Sequence, residues 1–271
     1  MLATCSRPFW CAIAAFLACA RVDAAEAPVW LPQAHAHNDY LHPRPLLDAL
    51  EQGFCSVEAD IFLVEGRLLV GHERSQLKPE RTLQALYLDP LLRRVNENGG
   101  RVYRGGPEFT LLIDLKQDWR VLYPVLRSVL TNYAAMLTTV VDGVTRSNAV
   151  LVVISGNRDK SMFDGETVRY AAYDGEPGEL EANPAPNLVP WISASWNSRF
   201  RWRGAGAIPA TELIALRALL DRAHAQGRRV RFWGSPDTPN FWQVMHVAGV
   251  DLINTDDLSG LRNFLRQPSP Q

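Results

Sequence analysis

The chain has 271 residues, a formal net charge of −1 at pH 7 and 47% hydrophobic residues. This length is sufficient for one large domain or two small ones with a substantial core, and we expect one domain. The near-neutral charge and the lack of a basic block exclude a typical nucleic-acid-binding protein, because phosphate backbones bind clustered Lys and Arg.

The first segment of the chain has the layout of a signal peptide. Arg7 precedes an apolar run at residues 9–20, and small residues follow it. The run is too short to span a bilayer, which needs about 20 residues. We therefore expect residues 1–25 to be a removable signal peptide and residues 26–271 to form one domain in the periplasm or outside the cell. An ordinary N-terminal helix is the alternative.

The cysteines are consistent with export. Three of the four, Cys5, Cys11 and Cys19, lie in the removable segment, so the mature chain would keep only Cys55 and form no internal disulfide. Export without disulfides fits a bacterial periplasm or secretion, with stability supplied by the core. Cys55 lies in the apolar run FCSVEADIFL, and this predicts a small buried residue rather than a nucleophile.

Eight short apolar runs predict β-strands. They are residues 32–37, 54–63, 109–116, 149–155, 168–173, 188–196, 229–235 and 250–257. Helical patterns separate most of them, at residues 44–53, 81–100, 119–137, 209–227 and 238–249. Strands that alternate with helices pair in parallel, and eight of them favour an α/β fold of the (β/α)8 TIM-barrel type. Two connections, GNRDKSMFDGE and GEPGELEANPAP, look too short or loop-like for full helices, so we expect an irregular barrel. An open doubly wound sheet is the alternative.

Charged residues interrupt two of the predicted strands. Glu58 and Asp60 are two residues apart and therefore share a face of the second strand, which in a barrel is the interior. A buried parallel strand is nearly all apolar, and two adjacent buried carboxylates require a cation or a proton. Asp114 and Lys116 repeat the pattern on the third strand. An exposed acidic strand face is the alternative.

Histidines and an amide accompany these carboxylates. His37 closes the first strand and is followed by Asn38, whereas His72 closes GRLLVGHE, which we predict to be a hairpin strand. Three carboxylates and an amide oxygen favour Mg²⁺ or Ca²⁺ over Zn²⁺. Two histidines without a thiol or a third histidine fit general acid and base roles better than metal binding.

These motifs resemble those of a known superfamily. HNDY, SVEAD and VGHE are similar to the His-Asn, Glu-x-Asp and Gly-His elements of phosphatidylinositol-specific phospholipase C. Glycerophosphodiester phosphodiesterases share the Glu-x-Asp and paired-His plan. With the RTLQALYLDPL helix, residues 35–92 resemble the branch of this superfamily named for altered inheritance of mitochondria. GVDLINTDDLSGLRNFL is similar to the C-terminal end of glycerophosphodiesterase barrels.

The resemblance implies a single barrel of the phospholipase-C-like phosphodiesterase type that cleaves a small-molecule or lipid phosphodiester with a divalent cation, Mg²⁺ or Ca²⁺. It implies His37 and His72 as the catalytic pair, and as metal ligands Asn38, Glu58, Asp60 and Asp114. The chain has no match to the His-Arg-Gly and Glu-Asn-Thr elements of standard glycerophosphodiesterases, so the substrate stays open.

Other residues are candidates for contacts around this centre. Lys116 is a candidate to offset phosphate charge, or to form a structural ion pair with an aspartate. Trp196 and Trp233 close the sixth and seventh strands and are candidates for an apolar wall at the barrel mouth, with core packing as the alternative. His35 is a candidate to support the site. The segment NSRFRWRGAG, residues 197–206, favours a solvated loop over contact with an anionic membrane surface. We expect a monomer.

Two other classes of function stay open. A metal-dependent phosphoesterase or amidohydrolase would use His35 and His37 as a metal pair. Such sites need further histidines at later strand ends, but His224 and His246 lie in predicted helices. A catalytically inactive barrel that binds phosphorylated ligands is the second alternative, and the complete set of carboxylates and histidines argues against it.

Overall fold

The structure is a computed structural model that describes residues 30–267. The predicted signal peptide at residues 1–25, with its three cysteines, lies outside the described residues. The strands are β1 (Leu31–Ala36), β2 (Phe54–Val64), β3 (Arg67–Val70), β4 (Phe109–Leu115), β5 (Thr139–Val141), β6 (Val144–Arg146), β7 (Val150–Gly156), β8 (Val168–Arg169), β9 (Ala172–Gly175), β10 (Trp191–Ser195), β11 (Arg229–Trp233) and β12 (Ile253–Thr255).

The helices pack around these strands. They are α1 (Leu47–Glu51), α2 (Asp89–Glu97), α3 (Trp119–Thr131), α4 (Glu179–Ala182), α5 (Trp196–Arg199), α6 (Ala210–Ala225), α7 (Pro239–Ala248) and α8 (Leu258–Arg266). A π-helical turn, Gln84–Leu88, leads into α2. Within residues 30–267, no helix combines the length and the apolar character needed to cross a membrane.

The strands form a nearly closed parallel barrel. The strand order is β1-β2-β4-β7-β9-β10-β11 in one direction, and β12 pairs with the other side of β1. A parallel bridge between Arg231 and Leu252 joins β11 to β12 and closes the ring. This confirms the predicted eight-stranded barrel and excludes the open sheet. The antiparallel hairpin of β2 and β3 is also as predicted.

Local sequence signals explain both ends of α7. The side chain of Thr238 accepts a hydrogen bond from the Phe241 N–H at the start of α7, Pro239 takes the first position, and Gly249 ends the helix at φ 87°. The two connections predicted to be short contain only a 3₁₀ turn, Lys160–Phe163, and the four-residue α4. The predicted irregularity of the barrel is therefore confirmed.

The fifth predicted strand was placed too early in the chain. Residues 168–173 were expected to form it, but the barrel strand is β9, at residues 172–175. The preceding β8 instead pairs with β5 in a separate antiparallel sheet, which also contains β6. The turn between β5 and β6 is Asp142-Gly143, with φ 50° and 79°, a pairing of residues typical of tight hairpins. The Asp-Gly pair is therefore a local sequence signal for this hairpin.

Trp196 is a core residue, which corrects its prediction as part of a substrate wall. It follows the last residue of β10, is fully buried and donates a hydrogen bond from Nε1 to the Trp202 carbonyl at 2.7 Å. Its ring packs against those of Phe200, Phe232 and Phe241 at 4.2 to 5.3 Å between centroids. Phe200 and Trp202 are also buried, so the aromatic residues of the segment 197–206 belong to the core.

Cys55 is buried, as predicted. Burial raises the pKa of its thiol to about 11, and its Sγ lies near the carbonyl of Gly53. A thiol with this pKa stays protonated at neutral pH and is a poor nucleophile. The structure therefore supports the packing role expected from the apolar run around it.

Candidate active site

The predicted site residues converge at the carboxyl ends of the barrel strands. A pocket of about 550 Å³ opens there, and eight of the ten predicted site residues line it: His37, Asn38, Glu58, Asp60, His72, Asp114, Lys116 and Trp233. The other two, His35 and Trp196, are fully buried outside the pocket lining. Carboxyl ends of parallel strands meet at one face of a barrel, so residues far apart in sequence come together there.

Three carboxylates form a compact cluster on neighbouring strands. Strands β2 and β4 pair in parallel with Asp60 opposite Asp114, and Glu58 lies two residues before Asp60 on the same face. Ligand oxygens of these three residues lie within 4.8 Å of one another. Glu58 and Asp60 are buried, at 6% and 0% exposure. This is the oxygen-rich donor set that Mg²⁺ and Ca²⁺ prefer.

The hydrogen bonding of Asp60 leaves one of its carboxylate oxygens free to bind a cation. Its Oδ2 lies 2.7 Å from the Tyr40 hydroxyl, 2.9 Å from His72 Nδ1 and 2.9 Å from Lys116 Nζ. Its Oδ1 is buried and has no hydrogen-bond partner within residues 30–267. Buried carboxylate oxygens in native proteins are nearly always paired, so an unpaired one next to two further carboxylates fits a divalent cation.

Lys116 and Asp114 form an ion pair at the edge of the cluster. Lys116 Nζ lies 3.1 Å from Asp114 Oδ1. Burial raises the pKa of the Asp114 carboxyl to about 6, aided by the charges of Asp60 and Glu58 and opposed by Lys116. For Lys116, burial lowers the pKa, but Asp114 and Asp60 outweigh it and raise the pKa above its usual value. Lys116 is therefore charged and still lines the pocket.

His72 is oriented by Asp60. Because a carboxylate only accepts hydrogen bonds, the 2.9 Å contact places a proton on His72 Nδ1. In the neutral ring, Nε2 is then the nitrogen that can accept a proton. The Tyr40 hydroxyl lies 3.3 Å from the same Nδ1 and 2.6 Å from Asn38 Oδ1. Tyr40 is nearly fully buried and thus connects the amide of Asn38 to the Asp60–His72 pair.

His37 is oriented by a carboxylate that the sequence analysis did not identify. Its Nδ1 lies 2.8 Å from Asp256 Oδ1, just beyond β12, and the Asn38 amide donates to the same oxygen at 3.2 Å. Burial lowers the pKa of His37, but the hydrogen bond to Asp256 and the negative charges of Glu58 and Asp256 raise it above its ordinary value overall. The motif NTDD places Asp256 at the polar end of a predicted strand. No nearby residue indicates that its partner lies 219 residues away.

Arg231 is a second residue that the sequence analysis missed. It lies on β11, is 3% exposed and donates from Nη1 to Glu58 Oε2 at 2.8 Å. Burial by itself raises the pKa of Glu58, but the charge of Arg231 holds the pKa well below its ordinary value. A charge in the middle of a buried strand was the signal that could have identified Arg231, as it did Glu58.

His35 supports Glu58 and Arg231 rather than binding a metal. Its Nε2 lies 2.9 Å from Arg231 Nη1, so Nε2 accepts and the ring proton is on Nδ1, which lies 2.7 Å from Ser56 Oγ. Burial, together with the charge of Arg231, lowers the pKa of His35 to about 4, so the ring is neutral. Both nitrogens are engaged, which argues against a metal pair of His35 and His37.

Asp174 anchors the other side of Arg231. This buried carboxylate on β9 accepts from Ser193 Oγ at 2.6 Å and from Ser155 Oγ at 3.0 Å, and it lies 3.9 Å from Arg231 Nη2. Arg231 also donates from Nε to Ser193 Oγ at 3.2 Å. The interior of the barrel beneath the acidic cluster is thus a continuous polar network, with members on β1, β2, β7, β9, β10 and β11.

Asp39, next to Asn38 in the turn that follows β1, is a buried carboxyl group whose protonation affects stability. Its Oδ2 accepts from the Leu46 N–H at 2.5 Å and from the Tyr87 hydroxyl at 2.9 Å, while Oδ1 is buried and has no hydrogen-bond partner among the described residues. Burial raises the pKa of Asp39 to about 7. A raised pKa of an acid stabilises the fold at pH values below its unfolded pKa, and this contribution is lost as the pH rises through the folded pKa.

We expect Asp39→Asn to flatten the pH dependence of stability between pH 4 and pH 7.5, because the amide keeps the accepting oxygen and does not titrate. The free energy of unfolding, measured by urea denaturation in chelator, should favour the variant increasingly as the pH rises. The difference in the free energy of unfolding between the two proteins removes the contributions of the other titrating groups, which both proteins share. A difference that is constant over this range would contradict the raised pKa.

Comparison with known proteins gives two family matches. The sequence profile of the AIM6-like phosphodiesterase domain matches residues 24–174, and that of the glycerophosphoryl diester phosphodiesterase family matches residues 229–259. The chain is 31% identical to altered inheritance of mitochondria protein 6 of Eremothecium gossypii, over 88% of this chain and 70% of that protein. It is 29% identical to the altered inheritance of mitochondria protein 6 homolog of Arthroderma benhamiae, over 85% of this chain and 82% of that protein.

Two solved structures share the fold. A glycerophosphodiester phosphodiesterase from Parabacteroides distasonis superposes with a TM-score of 0.51 at 15% identity, covering 87% of this chain and 98% of that one. A glycerophosphodiester phosphodiesterase from Agrobacterium tumefaciens superposes with a TM-score of 0.50 at 12% identity, covering 88% and 100%. At this identity the likeness concerns the barrel architecture alone.

Proposed function

We propose, from the premise that this chain belongs to the family of AIM6-like phosphodiesterase domains, that it is a phosphoric diester hydrolase that uses a divalent cation and two histidines. The observation that carries the proposal is the unpartnered Oδ1 of Asp60 in a cluster of three carboxylates. Two carboxylate-oriented histidines line the same pocket, as a cleavage that needs an acid and a base requires.

The charge balance of the network supports the cation. Ion pairs connect four carboxylates, those of Glu58, Asp60, Asp114 and Asp174, with only two fixed cations, Lys116 and Arg231. The network therefore has two negative charges in excess. A divalent cation matches this excess, and buried carboxylates without compensation are costly. Glu58, Asp60 and Asp114, with Asn38 beside them, are the residues that would hold it.

Each of the two histidines carries out one proton transfer. His37, whose pKa is raised beside Asp256, holds a proton that it donates to the leaving oxygen. His72, which keeps its Nδ1 proton on Asp60, accepts a proton at Nε2 from the attacking water or substrate hydroxyl. Lys116 lines the pocket and binds the phosphate by its charge. A bound Mg²⁺ or Ca²⁺ supplies stabilisation of the negative charge that grows on the phosphate oxygens. The leaving oxygen departs as an alcohol, and the other product is a phosphomonoester when water attacks or a cyclic phosphate when the nucleophile is a neighbouring hydroxyl.

The proposal is tested by phosphorus NMR of the purified protein with a panel of glycerophosphodiesters and phospholipids, in the presence of Mg²⁺, Ca²⁺ or chelator. We expect cleavage that chelator abolishes and that added cation restores, and the product identifies the leaving group. Cation binding is measured directly by isothermal titration calorimetry, with Asp60→Asn as the variant expected to lose it. Cation-independent turnover would contradict the role of the cation. Binding of diesters without cleavage would contradict the enzymatic function.

A further inference from the structure

The pocket extends well beyond the acidic cluster and the histidines. Its volume of about 550 Å³ is in the range of pockets that enclose whole small ligands, so it has room for an alcohol group as well as the phosphate. The far wall comes from the ends of β7, β9, β10 and β11. It presents the charged side chains of Arg158, Arg199 and Glu176 and the half-exposed Trp233.

Arg158 is a fixed cation on this wall. Its guanidinium donates from Nε to the Asp174 carbonyl at 2.8 Å, from Nη1 to the Gly156 carbonyl at 3.1 Å and from Nη2 to the Asp174 carbonyl. It also lies over the ring of Tyr173 at 4.8 Å. These contacts hold the group in place without neutralising it, because carbonyl oxygens carry no net charge. Within residues 30–267, Arg158 forms no ion pair, and two of its five N–H groups stay available.

Glu176 is an anion on the same wall. It follows the end of β9, two residues after Asp174, whose carbonyl holds Arg158. The Glu176 side chain is exposed and, in the described part of the chain, its carboxylate accepts no hydrogen bond and pairs with no cation. Within residues 30–267, Arg158 and Glu176 therefore line one pocket without pairing with each other.

We propose that this wall binds a head group that carries both a carboxylate and an ammonium, as a serine head group does. Arg158 pairs with the carboxylate in the two-pronged geometry that guanidinium groups favour, and Glu176 pairs with the ammonium. A head group with only one of these charges leaves the other side chain unpaired. This inference rests on the proposed function, since it names the diester class for the same pocket: a phosphodiester with a zwitterionic amino-acid alcohol.

Three matched substrates test the proposal: glycerophosphoserine, glycerophosphoethanolamine and glycerophosphoglycerol. The first two differ by the carboxylate, and the third lacks the ammonium. We expect kcat/KM to be about tenfold higher for the serine than for the ethanolamine diester, because only the serine diester can form the charge-assisted hydrogen bonds from Arg158 to a carboxylate. The kcat/KM for the ethanolamine diester should in turn exceed that for the glycerol diester.

Two variants separate the two contacts. Arg158→Met should lower the serine-to-ethanolamine ratio of kcat/KM about tenfold, and Glu176→Gln should lower the ethanolamine-to-glycerol ratio by a similar factor. Arg217→Met, a matched change on the exposed surface of α6, should leave both ratios unchanged. Equal turnover of the serine and ethanolamine diesters by the unmodified protein would overturn the proposal, as would an unchanged serine-to-ethanolamine ratio in Arg158→Met.

A binding measurement separates failure of this inference from failure of the proposed function. The dissociation constants of O-phosphoserine and O-phosphoethanolamine are compared by isothermal titration calorimetry in the full-length protein and in Arg158→Met. If none of the three diesters is cleaved but phosphoserine binds about tenfold more tightly and loses this preference in the variant, the wall is assigned correctly and the hydrolase function is not. Equal or absent binding of the two monoesters, together with no turnover, overturns the inference.

Discussion

Replacement of His37 or His72 by Ala is expected to lower kcat/KM for diester cleavage by about a hundredfold to ten-thousandfold, the usual contribution of a general acid or base. Each histidine is held at Nδ1 by a carboxylate, Asp256 or Asp60, so each presents its other nitrogen in a defined orientation. The alanine variants remove the proton transfer and leave the acidic cluster in place. Turnover is followed by phosphorus NMR with any diester that the unmodified protein cleaves.

The controls for this experiment address orientation and folding. His42→Ala changes a histidine that lies outside the pocket lining, so it should retain full turnover. Asp256→Asn keeps the size of the side chain that contacts His37 Nδ1 but not its charge, and it should show a smaller loss than His37→Ala. Cation binding, measured by calorimetry, should survive in His37→Ala. A variant of either histidine with near-normal turnover and a normal fold would contradict the assigned role.

Replacement of Arg231 by Met is expected to destabilise the protein by about 3 to 5 kcal/mol, the typical cost of removing one partner of a buried ion pair. Arg231 Nη1 lies 2.8 Å from Oε2 of the buried Glu58, and Arg231 Nη2 lies 3.9 Å from Asp174 Oδ2. Met has a similar length and no charge, so the loss of stability measures the cost of leaving the carboxylates of Glu58 and Asp174 without this cation. The free energy of unfolding is measured by urea denaturation in chelator at pH 7.

A double variant identifies the cause of this loss. If uncompensated charge on Glu58 is responsible, Arg231→Met with Glu58→Gln should be more stable than Arg231→Met alone, by about 1 kcal/mol or more. Arg217→Met, on the exposed surface of α6, should change stability by no more than about 0.5 kcal/mol. A loss of less than about 1 kcal/mol in Arg231→Met would show that the ion pair contributes little to folding.

Residue spacing was sufficient to predict the acidic cluster. Glu58 and Asp60 share a face because side chains alternate along a strand, and Asp114 lies opposite Asp60 because the neighbouring strand runs in parallel. These are local rules that need no knowledge of distant contacts. The same rule applied to Arg231 would have found one more member of the network, since this charge lies in a predicted strand. Asp174 lies one residue beyond the predicted fifth strand, residues 168–173, so the rule could not have found it.

The two tryptophans show where spacing is not sufficient. Both come at the carboxyl end of a barrel strand, yet Trp196 is buried and Trp233 is 46% exposed and lines the pocket. Trp196 begins the short helix α5 directly after β10, and this turns its ring under Phe200 and Phe241. Trp233 is the last residue of β11 and keeps its position at the mouth. The direction of the chain after the strand decides between them, and composition does not predict it.

The sequence by itself determined the barrel architecture, the family and the residues of the acidic cluster, because strand periodicity and residue type act over a few neighbouring positions. Tertiary structure alone decided which groups pair with these residues. Arg231 meets Glu58 across 173 residues and Asp256 meets His37 across 219. The physical reason is that these partners come from the last strands of the barrel and reach the first strands only when the ring of strands closes.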